Sequence, residues 1–286
     1  MIKWVRFQDA NGHIGFGRLL AADTDTANTN AESTDDLLQA MRPDRACELP
    51  GALVEVYEGD LFGAALATGE RLPLQTLKLL QPTRPGKMIG LWNNFHALAS
   101  KNGGSIPATP LYFLKAPNAW LAHGERIEVP AQYDGRVVYE GELGIVIGQT
   151  CRNVDETGAT QAIFGYTCVN DMTALGLIDQ DPSFAQWTRA KSFDTFGPFG
   201  PCIATNVDWA DLVVSTRLNG RERQNYPASD MIFSPAQIVS LISRDLTLEA
   251  GDIIACGTSV GVLPVKAGMR IDVAIAGIGT LSNLYS

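Results

Sequence analysis

The chain has 286 residues, 45% of them hydrophobic and 19% charged, which excludes an intrinsically disordered protein and supplies enough apolar material for one large core or two unequal domains. A net charge of -9, with no basic cluster to offset it, repels phosphate backbones, so no nucleic-acid partner is expected and a small-molecule substrate is. The five cysteines, Cys47, Cys151, Cys168, Cys202 and Cys256, are widely spaced and odd in number, which argues against a disulfide framework or a Cys-x-x-Cys site. The N-terminus lacks an apolar leader, and nowhere do about eighteen uncharged apolar residues run together. A cytoplasmic protein without membrane contact is the expectation.

Taken in chain order, Ile2 to Phe7, Ile14 to Leu20 and Leu53 to Tyr57 read as strands separated by turn signals. Between them, Ala21 to Asp36 (AADTDTANTNAESTDD) is a polar, acidic insert expected to form a mobile loop. The Pro/Gly-rich bridge Gln81 to Lys87 can neither pair in a sheet nor continue a helix, and the domain boundary is placed there: a small β-rich N-terminal domain over 1–82 and a catalytic domain over 83–286. Beyond the bridge, strands are predicted at Glu142 to Ile147, Phe164 to Val169, Val213 to Leu218, Asp252 to Cys256 and Ile271 to Ala276. Helices are fewer. One begins at SPAQIVSLISRD, with Ser234 as N-cap and Pro235 at the first helical position, and shorter ones are expected at His96 to Lys101 and Asp155 to Ala162. The fold class is α+β, mostly β, with peripheral helices.

The stretch YEGELGIVI, Tyr139 to Ile147, carries the first chemical signal. On a strand, residues two apart share a face, so Glu140 and Glu142 project together while Leu143, Ile145 and Ile147 pack on the other side. Adjacent carboxylates on so apolar a strand repel each other and resist desolvation, so something must neutralise them. A second strand, IFGYTCVND, ends in Asp171. Three carboxylates from two strand ends make an oxygen-only site suited to a hard cation such as Mg2+ or Mn2+; the alternative is a solvated sheet face with Asp171 capping a turn.

Other segments are weaker individually. Lys191 lies in RAKSFDTFGPFGP, where Pro198 and Pro201 predict an ordered irregular loop; its ammonium would hold a substrate carboxylate or developing enolate charge, or be a surface lysine. Gly257 and Thr258 open GTSVGV after the strand DIIAC and offer a backbone N–H and a hydroxyl to a ligand, or form a plain glycine turn. The same run matches the Gly-x-Ser-x-Gly nucleophile elbow around Ser259, but Pro264 follows instead of a helix, and His13, His96 and His123 all precede the serine. His96, in GLWNNFHALASKNGG, would be a general base on a lid spanning Trp92 to Ile106, or a structural histidine.

Together YEGELGIVIG, GYTCVND, RAKSFDTFGPFGP, SDMIFSP and GDIIACGTSVGV resemble, in order and spacing, the signature of the fumarylacetoacetate hydrolase family. The resemblance implies a mixed β-sandwich roll behind a small β-rich N-terminal domain, a cytoplasmic homodimer, and one divalent cation, Mg2+ or Mn2+, on Glu140, Glu142 and Asp171. It further implies Lys191, Thr258 and Gly257 as substrate contacts, with His96 and Lys191 catalytic. The expected activity is a hydrolase of aromatic catabolism that cleaves a C–C bond in an acylpyruvate or related 2-oxo acid through a metal-stabilised enolate. The alternatives are a decarboxylase or isomerase of the same family and a non-catalytic metal- and ligand-binding relative.

Departures from the family pattern bear on that choice. Hydrolytic members resemble Gly-x-Asn-Tyr-x-x-His-x-x-Glu at the lid, whereas this chain reads GLWNNFHALA: Trp92 and Asn93 replace Asn-Tyr, and Ala99 stands where the Glu would be. After the last metal ligand, DMTALGLI places Leu175 and Ile178 where many members carry an Arg and a Gln. A more apolar pocket follows, with Asn93, Asn94 or a distant carboxylate as the expected orienting partner of His96.

Overall fold

The computed structural model describes residues 1–20 and 51–286; the acidic insert Ala21 to Asp36 and Cys47 lie outside the described residues. The N-terminal run forms β1 (Ile2–Gln8), β2 (Ile14–Leu20), β3 (Leu53–Gly59), β4 (Ala65–Pro73) and β5 (Lys78–Leu79). The bridge at 81–87 carries no regular structure, as its prolines require. After it come β6 (Met88–Trp92), α1 (His96–Lys101), β7 (Leu111–Lys115), β8 (Trp120–Leu121), β9 (Arg126–Ile127), β10 (Val137–Val138) and β11 (Gly141–Ile147). The middle of the chain supplies α2 (Glu156–Ala162), β12 (Ile163–Asn170), β13 (Thr173–Ala174), α3 (Trp187–Lys191) and β14 (Gly197–Thr205). It ends with β15 (Val213–Leu218), β16 (Arg221–Pro227), α4 (Pro235–Asp245), β17 (Ile253–Ala255), β18 (Met269–Ile275) and β19 (Gly279–Tyr285).

The protein is α+β and mostly β, with mixed sheets. A large sheet runs β4-β3-β2-β1-β14-β12-β11-β17-β6-β7, and a smaller one runs β16-β15-β18-β19-β9. The strands β11, β12 and β14 pack face to face on β15, β18 and β19, so β11 is covered on both sides and every one of its residues is buried. That explains an unbroken apolar run in place of strict alternation. The first strand pairs with β14 (Trp4↔Ile203), so one sheet continues from the N-terminal strands into the rest of the chain.

Local signals placed the helices well. Ser234 accepts from the Gln237 N–H while the Gln237 side chain accepts from the Ser234 N–H, a capping box with Pro235 at the first position of α4. Asp155 caps α2 through the Gly158 N–H. Cys151, Cys168, Cys202 and Cys256 are buried and form no disulfide among the described residues.

Two expectations are corrected. Lys191 does not lie in an irregular loop: it ends helix α3 and is 2% exposed, which also removes the surface-lysine reading. Nor do Pro198 and Pro201 forbid regular structure, since both sit in the buried central strand β14. The strand tolerates Pro201 because β1 pairs only with 203–205 and the β12 register shifts between Gly200 and Ala204, while Pro198 lies in the two-residue parallel pairing with β8, opposite Leu121. A bulge releases the ring from the ladder hydrogen bond it cannot donate.

Candidate metal and substrate site

The sheet order brings the acidic residues together. In the antiparallel β11–β12 pair Gly141 lies opposite Asn170, and the Asp171 N–H donates to the Glu140 carbonyl at 2.8 Å, so the residues flanking this rung become neighbours. Carboxylate oxygens of Glu140, Glu142 and Asp171 all lie within 4.8 Å of one another. Glu142 and Asp171 are fully buried, and the Glu140 side chain is 18% exposed, which places the opening on its side. The solvated sheet face is thereby excluded.

Two ammonium groups offset the carboxylates. Lys191 donates to Glu140 Oε2 at 2.7 Å and to Asp171 Oδ2 at 2.5 Å, and Lys115, from the end of β7, donates to Asp171 Oδ1 at 2.6 Å. Lys115 was not singled out in the sequence; a lone charge closing the apolar strand LYFLK was its only signal. Burial works against both ammonium groups, yet the charges of Asp171, Glu140 and Glu142 hold Lys191 above the ordinary lysine range, whereas Lys115 is lowered. Burial likewise pushes up the Asp171 carboxyl, but Lys115 and Lys191 bring it below the usual range. Glu142 is raised well above its ordinary value, first by burial and then by the charges of Asp171 and Glu140.

The third wall is the turn after β17. The Gly257 N–H donates to Glu142 Oε2 at 2.8 Å, and a side chain there would meet the Leu91 carbonyl at 3.2 Å and Asn94 Cβ at 3.3 Å, with φ of 90°. Glycine is the residue that fits. Thr258 donates to the Gly141 carbonyl at 3.1 Å and accepts from Gln224 Nε2 at 2.8 Å, while Gln224 Oε1 accepts from the Gly141 N–H and the Tyr226 hydroxyl also donates to the Gly141 carbonyl. Gln224 and Tyr226 thus fix the backbone between the two glutamates, a role that no motif announced. Ser259 is fully buried, its hydroxyl without a partner among the described residues, so it cannot present the exposed oxygen that a nucleophile elbow requires.

The segment expected to serve as a lid, from Trp92 onward, is tied to this turn. Asn94 donates to the Cys256 carbonyl at 2.8 Å and accepts from the Phe233 N–H at 2.9 Å. Both ends of its amide are engaged, with the turn after β17 and with Phe233. His96 itself is exposed at the start of α1, whereas Ala99 is buried.

The donor set fits a hard divalent cation. Glu142 Oε1 is buried without a hydrogen-bond partner among the described residues, an arrangement that costs a few kcal/mol unless a ligand satisfies it. Three carboxylates against two ammonium groups leave one net negative charge, which a divalent cation turns positive, the sign that attracts an organic anion.

Residues 87–284 match the family described as Fumarylacetoacetate (FAA) hydrolase C-terminal, and residues 2–82 match Rv2993c-like, N-terminal. The chain belongs to the fumarylacetoacetate hydrolase family. Among its relatives, an oxaloacetate tautomerase of Bacillus subtilis is 37% identical over 263 residues, covering 82% of this chain and 86% of its own. A 2-hydroxyhepta-2,4-diene-1,7-dioate isomerase from Mycobacterium marinum has the same fold, with TM-score 0.82 and 34% identity, over 100% of this chain and 98% of its own. A fumarylacetoacetate hydrolase from Exiguobacterium antarcticum superimposes with TM-score 0.75 and 32% identity, over 100% of this chain and 99% of its own. In the fumarylacetoacetate hydrolase family chain, no described helix is long and apolar enough to cross a membrane.

Proposed function

We propose that this protein is a divalent-cation-dependent tautomerase or isomerase that moves a proton between carbon and oxygen of a small 2-oxo acid, working as a cytoplasmic homodimer. The observation that carries the reading is Ala99, buried on α1 where a hydrolytic lid would present a carboxylate; His96 is exposed and has no side-chain partner among the described residues, the Asp230 carboxylate at the start of the helix accepting from the Ala97 N–H instead. Water activation needs such a pair, and a proton shift does not. The tautomerase and isomerase named above support the same choice over C–C hydrolysis.

Glu140, Glu142 and Asp171 would hold the cation, with Mg2+ or Mn2+ suited to their oxygens. When bound, the cation supplies charge that polarises the 2-oxo group and favours enolate over ketone. Lys191, kept charged by its carboxylate neighbours, donates hydrogen bonds to the substrate's anionic oxygens and does not serve as a nucleophile. Gly257 and Thr258 act through the glutamates: the Gly257 N–H holds Glu142, and the Thr258 hydroxyl holds the Gly141 carbonyl between Glu140 and Glu142. His96, carried on α1, delivers or removes the proton at C3 when the segment closes; replacing it with Ala should lower kcat by roughly a hundredfold.

The deciding experiment follows enol-to-keto conversion of oxaloacetate and other 2-oxo acids by ultraviolet absorbance, beside product analysis with acylpyruvates, with Mn2+ and with chelator. Cation-dependent tautomerisation without acylpyruvate cleavage is expected. Cleavage with no acceleration of tautomerisation would return the protein to the hydrolases.

A further inference from the structure

One sheet face leads outward from the charged cluster, and its composition changes along the way. In the β6–β7 pair, Met88 lies opposite Lys115, Gly90 opposite Phe113, and Trp92 opposite Leu111, so these six residues line a single face. At the inner end Lys115 is 2% exposed and bound to Asp171; Phe113 is 8% exposed; at the outer end Trp92 and Leu111 are 43% and 41% exposed. Gly90 makes room for the middle step, since a side chain there would strike the Phe113 ring.

The rings form a connected path. Lys191 Nζ, which contacts Glu140 and Asp171, sits 4.9 Å from the Phe113 ring centre; Phe113 stacks on Trp187 at 5.5 Å and 12°; Trp187 meets Trp92 at 6.0 Å. Trp92 leads directly into Asn93 and Asn94, and Asn94 packs against Gly257, so the outer ring belongs to the mouth of the same site. An indole this exposed costs free energy in water, and aromatic rings arranged edge and face recover it by stacking on another ring.

We infer that Phe113, Trp187 and Trp92 form a subsite for an aryl or extended apolar arm of the substrate, so that the acid handled here has one anionic 2-oxo head and an apolar tail. This rests on the 2-oxo acid reading above for the head alone. The carboxylate and 2-oxo oxygens face the cation site and Lys191, and the tail lies along the Trp92 face. In a tautomerisation the enol O–H proton is lost and a C–H bond forms at C3, so reactant and product are isomers and no co-reactant is needed.

The test separates head from tail. With Mg2+ present, calorimetry compares 3-phenyllactate and malate, unreactive 2-hydroxy acids that share a head and differ in the arm; 3-phenyllactate should bind roughly tenfold or more tightly. The ratio of the two affinities should collapse toward unity in Trp92→Ala and return in Trp92→Phe. If Trp92→Ala fails to fold, Trp92→Gln carries the same comparison. In parallel, the ratio of kcat/KM for enol-phenylpyruvate over enol-oxaloacetate should fall in the same variants. Equal affinity of the two acids for the unaltered protein, binding of neither, or an unchanged ratio in the variants overturns the subsite whatever the turnover. Should Trp92→Ala instead change the sedimentation coefficient while keeping the ratio, Trp92 belongs to a contact between copies and the inference falls. Selective binding with turnover of neither 2-oxo acid would remove the proposed reaction and leave the subsite standing.

Discussion

Lys115 and Lys191 grip the same carboxylate from opposite sides, one donating to each oxygen of Asp171, at 2.6 and 2.5 Å. They come from elements far apart in the sequence, the end of β7 and the end of α3, and neither is solvated. Asp171 is therefore neutralised twice while Glu142 is left with one backbone N–H and an oxygen without a partner among the described residues. The cluster is charge-balanced unevenly, and the deficit lies on the glutamate side.

Lys115→Met keeps most of the apolar stem and removes the charge. In the metal-free protein, breaking a buried pair of this kind costs about 3–5 kcal/mol, so Tm should fall by several degrees. Cation affinity should move the other way, tightening by roughly tenfold as a buried like charge is lost from the site. Calorimetric titration with Mn2+ checks this. A variant that binds Mn2+ more weakly would mean that Lys115 shapes the ligand geometry more than it repels the ion.

Glu142 gives a pH prediction whose sign follows from its raised carboxyl. The folded, metal-free protein holds this proton at pH values where the unfolded chain has lost it, so stability contributed here falls as pH rises through the window above the usual carboxylate range. Asp171, lowered by its two lysines, does the reverse and loses stability as pH falls. Glu142→Gln removes the first effect and can still accept from the Gly257 N–H. Its metal-free Tm should exceed that of the unaltered protein at pH 7 to 8, with the advantage shrinking as pH approaches the ordinary carboxylate value of 4.5. Thermal unfolding across that range, in chelator, would expose an error in sign at once. Metal-dependent activity should be lost at every pH.

Gly257→Ala combines two penalties. The φ of 90° is unfavourable for any side chain, at about 1–2 kcal/mol. The new Cβ would also lie at 3.2 and 3.3 Å from Leu91 and Asn94, pushing the lid base away from the turn. We expect Tm to fall and KM to rise together, because the Gly257 N–H that holds Glu142 moves with the backbone. Unchanged steady-state kinetics would show that the turn does not set the glutamate's position.

What the sequence revealed, and what it hid, follows from interaction range. Glu140 and Glu142 could be placed on one face because strand periodicity is local, and Asp171 because it ends an apolar run. Ser234 and Asp155 announced their helices for the same reason. Lys115 carries no motif, and only the pairing of β7 with β6 brings it under Asp171. The β14 strand was hidden by two prolines: Pro201 is accommodated by a bulge and by the limited reach of β1, and Pro198 by the short β8 pairing, all set by distant residues. In RERQNYP the polar Gln224 and Tyr226 alternate inward, opposite to the usual pattern, because their partners are backbone groups of Gly141 and the Thr258 hydroxyl.

The neighbouring residues Thr258 and Ser259 provide the sharpest contrast, since a serine-nucleophile mechanism would need the second and the present site uses the first. Ser259 is fully buried and its hydroxyl lacks a partner among the described residues, so Ser259→Ala removes an unsatisfied polar atom and should be neutral or stabilising by up to about 1 kcal/mol. Turnover should stay near that of the unaltered enzyme, and a fluorophosphonate should leave Ser259 unlabelled. Thr258→Val nearly conserves volume but takes from the Gln224 amide the nearer of its two acceptors, leaving the Ser259 carbonyl at 3.3 Å, and frees the Gly141 carbonyl from one of its two donors. That loss costs about 1–3 kcal/mol where the groups are buried. Because Gly141 lies between Glu140 and Glu142, the effect should reach the cation site, weakening Mn2+ binding in the absence of substrate as well as raising KM. Covalent labelling of Ser259, or a Thr258→Val protein with unaltered Mn2+ affinity and KM, would reverse the roles assigned to the two hydroxyls.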